Sequence, residues 1–163
     1  MAVIPESDIA LAALDDPRVE AFGMLLETHN ELVTALANGA SEGSLPVPWL
    51  GVLIRLARTP DHRLRMTELA RDMTMSTSGL TRLIDRVETA GHVERERCPE
   101  DRRGLWAVLT PAGLDVVMAA APGHLADLDH LIAGALGHDE LVTLTDLLRR
   151  VRNHVRGVRS GTE

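Results

Sequence analysis

Two arginine pairs stand among short polar and turn-forming residues. Arg82 and Arg86 follow Ser76-Thr77-Ser78-Gly79-Leu80-Thr81, and Arg102 and Arg103 follow Pro99-Glu100-Asp101. Guanidinium groups grip phosphate oxygens in forked pairs, while hydroxyls and helix N-terminal amides add neutral donors, so both clusters suit a polyanion. Other reactive residues point to less. His124, Asp127 and His130 recur every three residues, but positions six apart on a helix point about 120° away from each other. The two imidazoles therefore do not converge on one ion, and a solvated helix face with no metal is expected. Cys98 has Arg97 beside it, which would lower a thiol pKa. As the single cysteine it allows no internal disulfide and suits a reducing compartment, and it is read as incidental. Gly-x-Gly-x-x-Gly, His-Glu-x-x-His and Gly-x-Ser-x-Gly are absent, and without any lysine there is no Walker motif. No enzyme and no cofactor are expected.

The arginines need elements to aim them. Thr67 is a candidate helix cap with Glu68 in the first turn, and Leu69, Ala70 and Met73 form a short apolar face ending at Thr74. Ser76 caps the next helix, where Leu80, Leu83, Ile84 and Val87 follow the i, i+3, i+4, i+7 spacing of one buried stripe. The opposite face carries Ser78, Thr81, Arg82, Asp85 and Glu88 with Arg86 at its border, and Gly91 stands where a left-handed cap would end the helix. Gly79 removes a side chain where backbone would approach a ligand closely. Val93 to Arg97 and Leu105 to Leu109 are strand-like, separated by seven residues rich in turn formers. The outgoing strand alternates basic and acidic residues, and the apolar return strand is expected against the body. Thr110-Pro111 then caps a further helix at once.

Helix, turn, helix and basic hairpin is the order of a winged helix-turn-helix, a fold that reads double-stranded DNA. The first turns of its second helix contact base edges and phosphates in the major groove, and wing arginines enter the minor groove, where the potential is most negative. The expected DNA-contacting set is Ser76, Thr77, Ser78, Gly79, Thr81, Arg82, Arg86, Asp101, Arg102 and Arg103. Within it, Asp101 is expected to act as a salt-bridge partner that fixes the wing, with Arg86 or Arg82 as candidates.

Charge distribution agrees with this placement. The formal net charge is −7, yet residues 55–103 hold eleven arginines against nine acids, leaving six arginines against fifteen acids elsewhere. Positive charge gathers where a duplex would lie. The 45% hydrophobic content excludes a disordered chain, and 163 residues suit one domain. No apolar run reaches a membrane span and no basic leader opens the chain, so a cytoplasmic protein without membrane association is expected.

Helical flanks enclose the central segment. Asp16-Pro17 starts a helix with the stripe Phe22, Leu25, Leu26, Leu32, Val33 and Leu36, ending at Asn38-Gly39. Trp49, Val52, Leu53 and Leu56 mark a shorter helix that stops near Thr59-Pro60. Beyond the wing, a stripe from Leu114 to Leu136 is expected to bend at Pro122-Gly123, and Asp139 opens a last helix with Leu141, Leu144, Leu147, Leu148, Val151 and Val155. Residues 9–14 are read as a short extra helix or a fraying end. These helices carry more apolar surface than a small winged domain covers, which predicts a two-fold homodimer.

The run Met66 to Met75, then Ser76-x-Ser78-x-x-Thr81-Arg82-x-x-Asp85-Arg86-x-x-x-x-Gly91-x-Val93, Asp101-Arg102-Arg103-Gly104 and Leu109-Thr110-x-x-Gly113 resembles the MarR (multiple antibiotic resistance regulator) family of bacterial transcription factors. The resemblance is specific over residues 48–113. It implies a mainly α protein with a small β-hairpin wing, a single MarR-like domain over 1–163. Residues 17–47 and 114–158 would form the helical dimerisation region, and 48–113 the DNA-binding region. It also implies a homodimer on a palindromic operator, a repressor more often than an activator, relieved by a small anionic aromatic or lipophilic effector. His29, in register with the first long stripe, and Trp49, near the helix that walls the effector pocket in the family, are the candidate effector contacts. The alternative is a winged-helix protein-interaction module without DNA binding. Ser78, Thr81, Arg82 and the wing arginines speak against it, because that use would favour an acidic surface.

Overall fold

A computed structural model describes residues 13–39, 45–98 and 101–160, with the side chains of Ala13, Arg102, Arg103, Arg159 and Ser160 outside that description. The chain divides into two compact units, the second beginning at Asp115.

In the first unit, helix α1 spans Pro17–Asn38. Asp16 caps it as expected, its Oδ1 accepting from the Arg18 amide at 2.8 Å. The Arg18 guanidinium beside it holds the Asp16 carboxyl below the usual carboxylate range. Helix α2 spans Val47–Ala57 and buries Val52, Leu53 and Leu56. A 3₁₀ turn, Pro60–His62, leads into strand β1, Arg63–Arg65. Helix α3 is Met66–Asp72 and helix α4 is Thr77–Thr89, joined by a turn in which Thr74 takes φ 54°. Strands β2 (Val93–Cys98) and β3 (Asp101–Leu109) form the wing.

Most of α4 follows its sequence pattern. Ser76 Oγ accepts from the Gly79 amide at 3.1 Å, and Leu80, Leu83, Ile84 and Val87 are fully buried. Gly91 takes φ 79°, the left-handed conformation a side chain disfavours, and so ends the helix. Thr110 Oγ1 accepts from the Gly113 amide at 3.0 Å and donates to the Gly91 carbonyl at 2.7 Å. It thereby ties the start of helix α5, Pro111–Leu128, to the end of α4. A Cβ on Gly113 would overlap the His92 carbonyl, so this junction needs glycine.

Several expectations are corrected. The cap position of α3 is Arg65 rather than Thr67, with Glu68 accepting from the Arg65 amide at 3.3 Å. The expected two-stranded hairpin is a three-stranded antiparallel sheet ordered β1-β3-β2, because Arg63 to Arg65 pairs with Val108 to Trp106. β3 begins at Asp101, paired to Cys98 across an irregularity between Arg97 and Cys98. It does not lie apolar side inward throughout: Ala107 and Leu109 are buried, Trp106 and Val108 half-buried, and Leu105 is exposed, the alternation a one-sided strand requires. Pro99 and Glu100 lie outside the described residues. So do residues 1–12, with most of the expected N-terminal helix; Ala13–Asp15 is a 3₁₀ turn.

In the second unit α5 includes Pro122 and runs to Leu128, where a π turn, Asp129–Ala133, follows. Helix α6 spans His138–Ser160, with Glu140 accepting from the Gly137 amide at 2.8 Å.

The core is concentrated. Among the described residues every buried hydrophobic lies between Val52 and Leu109 except Val117. The stripes of the flanking helices stay exposed in the single chain: Phe22, Leu25, Leu26 and Val33 on α1, and Leu144, Leu147, Leu148, Val151 and Val155 on α6.

Candidate nucleic-acid interface

The N-terminal half of α4 gathers most of the expected contacts. Ser76, Thr77, Ser78, Thr81 and Arg82 are exposed there, Gly79 is half-buried, and Arg86 is exposed in the last turn of the same helix. The stripe Leu80, Leu83, Ile84 and Val87 anchors the opposite side, so the polar face is presented on a fixed support. Ser76 Oγ and Ser78 Oγ lie 3.3 Å apart, and Thr81 Oγ1 donates to the Thr77 carbonyl at 2.8 Å. Gly79 has a local reason to be glycine, since a Cβ would stand 3.1 Å from Ser76 Oγ and crowd the capping hydroxyl. Among the described residues Arg82 and Arg86 hold no ion pair, which leaves both guanidiniums open to phosphate.

At the wing, Asp101 pairs with Arg65 of β1, 3.6 Å from Nη1, in place of the expected Arg86 or Arg82. The same guanidinium donates to the Cys98 sulfur at 3.4 Å and lies 5.5 Å from the Trp106 ring centre, while Arg63 lies 5.2 Å from that ring. Trp106 is thus stacked by two arginines of the strand beside it, which fastens the base of the wing to the start of the helix-turn-helix. Cys98 is buried, and its cationic neighbour is Arg65. Arg102 and Arg103 continue the backbone of β3, and their side chains lie outside the described residues.

The two effector candidates stand in different surroundings. His29 is exposed on α1 with Asn30 Oδ1 3.4 Å from its Nδ1. Trp49 is half-buried on α2 and meets the His92 ring edge-on, centroids 6.3 Å apart. Among the described residues no group of three or more His, Cys, Asp or Glu side chains is placed to hold a metal ion. No described helix is long and apolar enough to cross a membrane.

Residue patterns did not reveal Arg95. It projects from β2 onto α4, its Nη2 donating to the Thr81 carbonyl at 3.1 Å and to Asp85 Oδ1 at 2.7 Å. Its Nη1 donates to Glu88 Oε2 at 2.5 Å, and its amide to Glu88 Oε1 at 3.1 Å. The alternation of Glu94, Arg95 and Glu96 was the sole signal, and it did not name the partners.

A buried-stripe helix with an exposed hydroxyl and arginine face, set beside a three-stranded wing, defines a winged helix-turn-helix protein. Residues 44–104 match the MarR family model. The HTH-type transcriptional repressor YetL of Bacillus subtilis is 32% identical over 130 residues, covering 77% of this chain and 75% of that protein. The crystal structure of AbsC, a MarR family transcriptional regulator from Streptomyces coelicolor, superposes with TM-score 0.76 at 33% identity, covering 88% of this chain and 97% of AbsC. Sco3205, a MarR family regulator of the same organism solved in complex with DNA, superposes with TM-score 0.67 at 28% identity, over 94% of this chain and 91% of Sco3205. The chain belongs to the MarR family of transcription regulators. It spans 58% of the length of the curated multiple antibiotic resistance relatives that it also matches.

Proposed function

We propose that this chain is a homodimeric, sequence-specific regulator that binds double-stranded DNA in the cytoplasm and represses transcription by occupying a palindromic operator. The observation that carries this is the exposed Ser76, Thr77, Ser78, Thr81, Arg82 and Arg86 surface on α4, backed by a fully buried stripe and free of ion pairs at its arginines among the described residues. The DNA complex of Sco3205 supports the same use of the fold. Residues 48–113 form the DNA-binding region and 17–47 with 114–158 the dimerisation region, because the exposed apolar stripes of α1 and α6 need a cover that a second copy supplies. In such a dimer the two α4 helices enter successive major grooves about 34 Å apart. Arg102, Arg103 and Asp101 belong to the wing contact, with Asp101 acting through Arg65.

The test is operator binding as a function of salt. Log affinity should fall linearly with log salt, with a slope of about −0.9 for each phosphate neutralised. Arg103→Ala should weaken binding and flatten that slope. An unchanged affinity and slope would remove Arg103 from the contact set.

Relief by a small anionic aromatic or lipophilic effector is the finer part of the proposal, with His29 and Trp49 as its contacts. Release requires the ligand to prefer the non-binding state, and a complete switch from about 1:99 to 99:1 needs about 5.5 kcal/mol of differential affinity. Titrating benzoate-type anions against the operator complex, with His29→Ala in parallel, tests this. Release of both proteins at one midpoint would exclude His29, and no release would remove this class of effector.

A further inference from the structure

Arg95 is a poor candidate for a DNA contact despite its place on the basic wing strand, because its charge is already spent inside the protein. Its side chain is only 20% exposed and is shared between Asp85 and Glu88, two carboxylates on the polar side of α4. Asp85 is one turn from Thr81 and Arg82, on the helix that the proposed function assigns to the major groove, and its side chain is 54% exposed. Left alone, it and Glu88 would set two negative charges against phosphate on each subunit. Like charges at such a surface oppose association at any DNA sequence.

We infer that Arg95 is a charge-masking residue of the DNA-reading helix: from the neighbouring strand its one positive charge, shared between Asp85 and Glu88, offsets half of their negative charge so that α4 can approach a polyanion. The geometry fits that task. Both terminal guanidinium nitrogens are engaged, Nη2 by Asp85 and the Thr81 carbonyl and Nη1 by Glu88, and the Arg95 amide also donates to Glu88. Arg82 and Arg86 on α4 meanwhile hold no ion pair among the described residues, so masking comes from β2 and leaves the helix's own arginines for DNA. This inference rests on the reading of α4 as the DNA-contacting helix, and it assigns to Arg95 a role exerted through two other side chains.

The experiment measures affinity for operator and for random duplex with four forms of the full chain: native, Arg95→Gln, the triple variant Arg95→Gln with Asp85→Asn and Glu88→Gln, and Asp85→Asn with Glu88→Gln. Arg95→Gln should lose on the order of tenfold in affinity at about 0.1 M salt, by a similar factor on both DNAs. The triple variant should recover most of that loss, because the unmasked charges are gone. The double variant, in which Arg95 is released from its partners, should bind random duplex more tightly than the native chain and with a steeper salt slope. Circular dichroism of each form reads folding separately; if Arg95→Gln does not fold, the double variant alone decides the matter. A triple variant as weak as Arg95→Gln would make Arg95 a direct contact and overturn the inference, as would a double variant indistinguishable from native. Failure of the native chain to bind any duplex would instead overturn the DNA-binding reading beneath it.

Discussion

Replacing Leu147 and Val151 together by glutamate should convert the protein to a monomer and lower operator affinity by about 100-fold or more. The two residues are four apart on α6 and therefore on one face, and both are exposed in the single chain, at 48% and 54%. Leu144, Leu148 and Val155 extend the same apolar surface. A carboxylate inside a two-fold interface meets its own copy or an apolar surface, and either is costly because neither pairs the charge. The affinity loss follows from geometry. A dimer binds its second half-site at high effective concentration, whereas a monomer must bind each half-site from solution. Light scattering at micromolar concentration gives the mass and fluorescence anisotropy gives the affinity. A double variant that remains dimeric with native affinity would place the interface elsewhere.

The second large effect concerns the support of α4. Ile84 is fully buried on the side opposite Arg82, and Ile84→Ala should destabilise the fold by about 3 kcal/mol through lost transfer energy and the cavity left behind. For a chain of this length that corresponds to a fall in Tm of roughly 6 to 12 °C at fixed protein concentration. Glu94→Ala, at an exposed position on β2, should change stability by no more than about 0.5 kcal/mol. A thermal scan of the two variants decides the matter. Equal, small effects would mean that the stripe is not the anchor of the helix.

What the sequence made legible was local. The Ser76 cap, the stripe Leu80, Leu83, Ile84 and Val87, the left-handed Gly91 and the Thr110-Pro111 helix start each depend on residues within about two helical turns, so pattern and capping chemistry suffice to find them. The family resemblance rested on the same stretch. Strand β1 was missed because three residues, Arg63 to Arg65, carry too little alternation to announce a strand, and their identity comes from pairing with residues 106–108, some forty positions later. The same distance hid the partner of Asp101, which lies on β1. Arg95 escaped notice because its partners lie seven to fourteen residues back on a different element, where side-chain reach depends on how strand and helix cross. His29 and Trp49 were placed by helix register and resemblance, but each finds its nearest partner locally or in His92. Helix register alone carries no information about which residue closes over a ring.

The central claim is that two copies of α4 read two halves of one DNA site. Repeated selection of duplexes from a random library by the purified protein, followed by sequencing, tests it most directly. The account predicts enrichment of an inverted repeat with half-site centres about 10 bp apart, lost when Arg82 and Arg86 are both changed to alanine. Enrichment of a single unrepeated site, or no enrichment over the starting library, would contradict it.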